Sequence, residues 1–410
     1  MKKFAKATSM GLLAASILAA AGAANAANVV GGGASLPDPL YQEIISQFLN
    51  LPTTGNTFSY DSVGSGRGKS GFFTNDASKL VTGKTGSVHF AGSDSAVSLL
   101  EKNAYTFAEN NPSATNGRAA GKWGPFIQIP AVATSVVLPY KKNGVTALDL
   151  SRKEVCQIFS YDPAARDWSQ VGGGAYGSGP IEVVYRADNS GTTELFSQFL
   201  NAECVTHGIT FNVSNNFNTV VTAALANNGT TLATLKGVVW FDSLTVPGHS
   251  SSEGVKATVA AGDKRLGYLS PDSDYLGSDN TKVSKIGGEL PDNLAIQAVY
   301  TALPTPKGAS AADQLQWVSA YSLPVAGKYP IYGTTNLLVG QCYKDPAVQT
   351  AVKNFLADFY NGVYDAQVIA HNFIPLPEIE WKRDIKANFL AVSGSLAIGD
   401  ASVCNGIGRP

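Results

Sequence analysis

Short runs of β-branched residues alternate with amphipathic stretches along this chain, and four junctions between them are built from small or hydroxylated residues. They are Gly31-Gly32-Gly33-Ala34-Ser35-Leu36, Gly64-Ser65-Gly66-Arg67-Gly68, Gly92-Ser93-Asp94-Ser95 and Asp188-Asn189-Ser190-Gly191-Thr192-Thr193. The alternation predicts an α/β protein. Behind the first junction, Leu40, Tyr41, Ile44, Ile45, Phe48 and Leu49 recur at helical spacing, with Pro39 placed for a first turn. Ahead of the fourth, Val183-Val184-Tyr185 reads as a strand, and Leu195, Phe196, Phe199 and Leu200 form the helical stripe that follows. Val352, Phe355, Leu356 and Phe359 mark another amphipathic helix near the end.

A helix N-terminus leaves backbone N–H groups free and carries about half a positive charge. Glycine lets that backbone approach a ligand closely, and Ser or Thr hydroxyls add donors. Any one junction taken alone reads first as an ordinary helix cap. Four of them directed at one place would form an anion site that needs few cationic side chains. Asp94 narrows the anion further. A carboxylate there repels its ligand unless the ligand carries a proton to donate, which hydrogen phosphate does and sulfate at neutral pH does not. A buried acceptor facing an acceptor costs about 1–3 kcal/mol or more, enough to discriminate. The alternative is that Asp94 caps its own helix.

At 410 residues the chain exceeds what one core usually spans, so two domains are expected. Thirty Lys+Arg stand against 31 Asp+Glu, with no basic run, which argues against a nucleic-acid binder. Lys2, Lys3 and Lys6, the apolar stretch Gly11 to Ala21 and Ala24-Asn25-Ala26 form the three parts of an export signal over residues 1–26. Losing those three lysines takes the formal charge from −1 to −4. No Cys follows the apolar stretch near the cleavage site, so no lipoprotein anchor is expected, and the exported chain should be free of the membrane. Cys156, Cys204, Cys342 and Cys404 are even in number, and an oxidising destination predicts disulfides. Three pairings exist for four cysteines. The sequential one, Cys156–Cys204 with Cys342–Cys404, closes the shorter loops, each contributing roughly 4 kcal/mol in the chain-entropy model.

Catalytic constellations are missing. His89, His207, His249 and His371 are scattered, without metal-ligand spacing, and there is no G-x-S-x-G. Each histidine reads as structural or superficial, and no metal or cofactor is expected. Asp272-Ser273-Asp274 followed by Gly277 hints at a calcium loop, but Val283 stands where the closing glutamate belongs, so it reads as solvated. Gly66-Arg67-Gly68-Lys69-Ser70-Gly71 matches GxGxxG, while Val63 breaks the full P-loop pattern. The segments 109–124 and 270–280 read as polar loops. Two long extended stretches, Ile127 to Tyr140 and Tyr329 to Gln341, look like connections between domains.

The ordered set of Gly31 to Pro37, Val63-Gly64-Ser65-Gly66, Ala91 to Ser95, Tyr185-Arg186 with Ser190 to Phe196, Phe373 to Pro377 and Cys404 to Pro410 resembles a known family. It is similar to the PstS-like phosphate-binding proteins of bacterial ABC uptake systems, and most closely to their DING branch. The resemblance implies a two-domain periplasmic binding protein fold of type 2, with a two-strand hinge and an interdomain ligand cleft. Domain I would comprise 27–135 and 331–410, with domain II inserted as 136–330. It implies that Ser35 and Leu36 donate a hydroxyl and an N–H to phosphate, that Ser65 adds a hydroxyl, and that Asp94 accepts the phosphate proton. Arg186, Ser190, Gly191 and Thr192 would complete the clamp from the inserted domain, Arg186 as the one charge-assisted fork. The family pairs its cysteines sequentially.

The implied function is an exported, monomeric, non-enzymatic receptor that delivers phosphate to an ABC permease, from the periplasm or from the extracellular medium. Some members of the branch are associated with secreted phosphatase activity, so a phosphatase or a phosphate scavenger is the alternative. The chain departs from the branch in reading Ala27-Asn28-Val29-Val30 where the namesake tetrapeptide would stand, and in Ser35 for a threonine, which keeps the hydroxyl.

Overall fold

The computed structural model describes residues 26–110, 123–276, 283–291, 293–318, 321 and 327–410. The export signal therefore lies outside the described residues, except for Ala26. Chain order begins β1 (Asn28–Gly33), α1 (Asp38–Ile44), β2 (Thr57–Ser62), α2 (Ser65–Thr74), β3 (Phe90–Ser93), α3 (Leu99–Asn110) and β4 (Phe126–Ser135). The middle runs β5 (Tyr140–Lys141), β6 (Asp149–Leu150), α4 (Arg152–Phe159), β7 (Glu182–Tyr185), α5 (Gly191–Cys204), α6 (Phe217–Asn227), α7 (Leu232–Leu235), β8 (Trp240–Asp242) and α8 (Ser251–Ala261). Next come β9 (Arg265–Gly267), α9 (Ser273–Leu276), β10 (Lys285–Ile286) and α10 (Asn293–Ala302). Then follow β11 (Tyr332–Gly340), α11 (Pro346–Tyr360), α12 (Asp365–Ala370) and β12 (Ile374–Pro375).

Two principal sheets organise these elements, beside a two-stranded one of β10 and β6. The larger has the order β12-β4-β11-β3-β1-β2, and the smaller β5-β9-β7-β8. β1 runs parallel to both β2 and β3, as strand–helix–strand units require. β4 and β11 are antiparallel, and all ten residues of β4 are buried. β4 leads directly into the smaller sheet: Val136 N donates to Ile331 O at 3.0 Å, Val137 bridges Leu269, and Tyr140 pairs with Leu266. Two bodies joined by extended backbone result. The smaller packs Tyr185, Phe196, Phe217, Trp240 and Tyr268 into one aromatic core, with Tyr185 and Phe217 stacked at 4.7 Å between ring centroids.

The stretch before β11 packs on the larger sheet. α10 packs on β4, where Tyr300 meets Ala133, Tyr332 and Ile374. Trp381 Nε1 donates to Tyr300 O at 3.2 Å, Lys102 pairs with Asp313 at 2.7 Å, and the rings of Trp317 and Phe389 lie 4.7 Å apart. Residues 293–318 therefore cover the larger sheet, because its apolar face beyond β4 needs a helical lid.

The disulfides are Cys156–Cys204, joining α4 to α5, and Cys342–Cys404, tying the end of β11 to the C-terminal segment. Beyond Cys404, Arg409 is fully buried, donating to Phe72 O, Val88 O and Asn75 Oδ1. The GxGxxG run forms the first turns of α2, and its glycines serve packing. A Cβ on Gly68 would overlap Gly33 in β1, so only glycine lets the helix lie this close to the sheet. Lys69 is buried and pairs with Glu101 at 2.9 Å.

Two loop expectations are corrected. α3 extends through Asn110, and residues 111–122 lie outside the description. In 270–280, Ser270 and Asp272 are fully buried and 273–276 form the turn α9, with 277–280 outside the described residues. Asp272 stays buried because His371 lies 2.9 Å away.

Candidate functional site in the cleft between the sheets

The eight residues singled out for anion binding all lie buried where the two bodies meet. Ser65 opens α2 and is itself fully buried. Its Oγ accepts the N–H of Asp94 at 3.1 Å, which leaves the hydroxyl proton free to donate. Ser190 caps α5, its Oγ accepting from Thr193 N at 3.2 Å, and its proton is likewise free. Gly191 and Thr192 follow as the first helical residues, whose N–H groups have no intrahelical acceptor. Across the boundary, Gly66 N donates to Asn189 O at 3.1 Å.

At Gly191 the two bodies come within contact distance. A Cβ there would overlap Ser65 Oγ and Asp94 Cβ and come to 2.8 Å from Ser95 N. Gly191→Ala is expected to hold the cleft ajar and weaken anion binding about 100-fold, since overpacking costs about 1–3 kcal/mol. Titration calorimetry checks it; an affinity within threefold of wild type would show that the two bodies need not approach this closely.

Asp94 does not open a helix. β3 ends at Ser93, and α3 begins only at Leu99, where Ser98 forms the cap: its Oγ accepts from Glu101 N at 3.2 Å and its N–H donates to Glu101 Oε2 at 2.8 Å. The third junction is thus a bend, and Asp94 is not the cap of the helix behind it. Its carboxyl is 3% exposed, and Oδ1 has no partner in hydrogen-bonding geometry. The hydroxyls of Thr192 and Thr335 are equally buried and unpartnered. Burial pushes the Asp94 carboxyl up to about 7; Thr335 and the Arg186 charge pull the other way, near enough to act electrostatically. The carboxyl therefore titrates near neutral pH, and its ionised form is an acceptor in search of a proton.

Arg186 follows β7 and is 2% exposed. Its Nε and Nη2 fork onto Asp188 at 2.7 and 2.6 Å, fixing the guanidinium plane. Nη1 reaches Ser252 Oγ at 3.3 Å, and that oxygen lies 2.8 Å from Ser35 Oγ. Ser252 belongs to the first turn of α8, with Ser250 at the cap position, so α8 brings another helix N-terminus to the cleft. The serine run Ser250-Ser251-Ser252 carried the same small, hydroxylated signal as the four junctions. Thr335, on β11, had no such signal, since threonine in a β-branched strand is ordinary. Ser35 and Leu36 form the loop from β1 to α1, and their carbonyls are held by the other body: Tyr275 Oη donates to Ser35 O at 2.7 Å and Ser270 Oγ to Leu36 O at 2.8 Å.

Of the histidines, His89 accepts from Val30 N at Nδ1 and contacts Pro410 O, His207 pairs with Glu203, and His371 sits between carboxylates. Among the described residues no helix is long and apolar enough to cross a membrane.

Comparison with known proteins agrees with this architecture. Residues 18–360 match the model of the PBP superfamily domain. The chain is 40% identical over 403 residues to the protein named alkaline phosphatase L of Pseudomonas aeruginosa, covering 97% of this chain and 99% of that one. It is 38% identical over 413 residues to a phosphate-binding protein from an unknown prokaryotic organism, covering 93% and 100%. The structure of the high-affinity periplasmic phosphate-binding protein PfluDING, solved with phosphate bound, superposes with a TM-score of 0.78 at 35% identity, covering 93% of this chain and 99% of that one. With two bodies, extended connecting strands and a buried cleft of helix ends between them, the chain belongs to the PBP superfamily and, within it, to the DING-type phosphate-binding proteins.

Proposed function

We propose that this chain is an exported receptor that captures inorganic phosphate between its two bodies and hands it to a membrane ABC permease. The observation that carries the reading is Asp94, a buried carboxylate without a partner at Oδ1, among helix N-termini and opposite a buried arginine. An anion of the right shape with one proton satisfies every group at once. Arg186 and the N–H groups of Gly191 and Thr192 meet the charged oxygens; Ser35, Ser65 and Ser190 donate hydroxyls, Leu36 its N–H, and Asp94 takes the anion's own proton. The bodies in this reading are 27–135 with 293–410, and 136 to about 290, closing by bending at the extended connections.

Calorimetric titration of the phosphate-stripped protein is expected to give tight one-to-one phosphate binding, with sulfate at least about 100-fold weaker. Binding of neither anion would leave these junctions a purely structural role. The name of the P. aeruginosa relative favours a second reading, phosphomonoester hydrolysis. Steady turnover of a phosphomonoester, abolished together with phosphate binding by Arg186→Ala, would establish it. A scavenger without a permease would collect in the culture medium rather than the periplasm.

A further inference from the structure

The segment 270–276 belongs by its apolar side chains to the inserted body, where Leu269 and Tyr275 pack with Val184, Val255 and Val259. Its polar groups face the other body. Besides the bonds from Ser270 and Tyr275 to the carbonyls of Leu36 and Ser35, Ser273 Oγ donates to Ala370 O at 3.1 Å and Asn372 Nδ2 donates to Pro271 O at 3.1 Å. Between these two sets of bonds lies His371. Its Nδ1 is 2.9 Å from Asp272 Oδ1 and its Nε2 is 2.8 Å from Glu43 Oε2. Glu43 and His371 belong to the larger body and Asp272 to the smaller, so the imidazole bridges the boundary.

We propose that His371 is a positioning residue for phosphate capture: its imidazolium, held by Glu43, clamps Asp272 and thereby holds segment 270–276 against the Ser35–Leu36 loop, keeping the cleft shut. The role rests on the reading of the cleft as a phosphate site. Both ring nitrogens face carboxylates, an arrangement that only the doubly protonated ring satisfies. Burial alone would lower the histidine; the bonds from Asp272 and Glu43, with the Asp272 and Asp274 charges, raise it to about 9. The other charges around the segment are Asp38 on α1 and, on α8, Glu253 with Lys256, which donates to Asp274 O at 2.9 Å. A raised histidine stabilises the closed form fully below its ordinary value, and that contribution is lost as pH rises through about 9.

The test is the phosphate dissociation rate from about pH 7.5 to about pH 10, by stopped flow, for wild type, His371→Gln and Glu43→Gln. Wild type should release phosphate about tenfold faster at the upper pH. His371→Gln should release it about tenfold faster already at the lower pH and show no further step, with phosphate-over-sulfate selectivity unchanged. Glu43→Gln should move the step to lower pH, and this decides the matter should His371→Gln not fold. A wild-type rate in His371→Gln at the lower pH, the same step in that variant, or an unmoved step in Glu43→Gln overturns the role of His371 alone. A wild-type protein that binds no phosphate at all overturns the functional reading and this role with it.

Discussion

Arg186→Ala is expected to lower phosphate affinity by about a thousandfold. Two losses combine. A charge-assisted hydrogen bond to the anion contributes about 1.5–3 kcal/mol. The Asp188 carboxylate, whose side chain is 25% exposed, loses its partner and meets the anion as a like charge, a juxtaposition that costs on the order of 1–3 kcal/mol. The free Asp188 carboxylate then faces the incoming anion with nothing to neutralise it, and Ser251 Oγ, at 3.4 Å, is the only other group bonded to it through a side chain among the described residues. About 4 kcal/mol, at 1.4 kcal/mol per factor of ten, gives the thousandfold figure. Titration calorimetry at neutral pH measures it. A loss of less than tenfold would mean that the helix ends carry the anion without the guanidinium.

Asp94→Asn should act on selectivity and on pH dependence together. The amide can donate to a fully deprotonated oxyanion, so sulfate binding should rise while phosphate binding falls, and their ratio should drop about 100-fold. In wild type, sulfate should bind better as pH falls through about 7 and Asp94 takes up a proton. The ligand-free protein offers a second readout. An acid whose folded value lies above its ordinary 3.8 contributes stability that is complete below that value and lost as pH rises through about 7. The whole difference is worth at most about 4 kcal/mol at roughly 1.4 kcal/mol per pH unit. Ligand-free Asp94→Asn should therefore melt like wild type near pH 4 and above it at pH 8. Parallel melting curves, or an unchanged phosphate-to-sulfate ratio, would remove Asp94 from the site.

What could be read from sequence was whatever has a local cause. Glycine and serine at a strand-to-helix junction act within a few residues, so Ser65, Ser190 and Gly191 stood out, and the pattern placed them without knowledge of the partner strands. The start of α3 was also written locally, in Ser98-Leu99-Leu100-Glu101, a capping box that places the helix beyond Asp94. Asp272 was illegible because what buries it is His371, 99 residues away in the chain. The packing of 293–318 was illegible for a related reason. Its amphipathic pattern shows that α10 covers an apolar face, and nothing in a periodicity says which of two sheets owns that face. Ser252 lay between these cases: the serine run was visible, but no clear strand precedes it to mark a junction.

The buried guanidinium of Arg409 bears on the order in which the molecule can assemble. Every strand of the smaller sheet lies between residues 140 and 267, whereas the larger sheet draws on residues 28–135 and again on 332–375. A chain delivered N-terminus first can complete the smaller sheet while β3, with β1 and β2 beyond it, still waits for β11, its neighbour from the far side of that insertion. Even then Phe72, Val88 and Asn75 wait for residue 409. The contacts that complete the larger body thus span the whole insertion, so its assembly is expected to be the slower of the two.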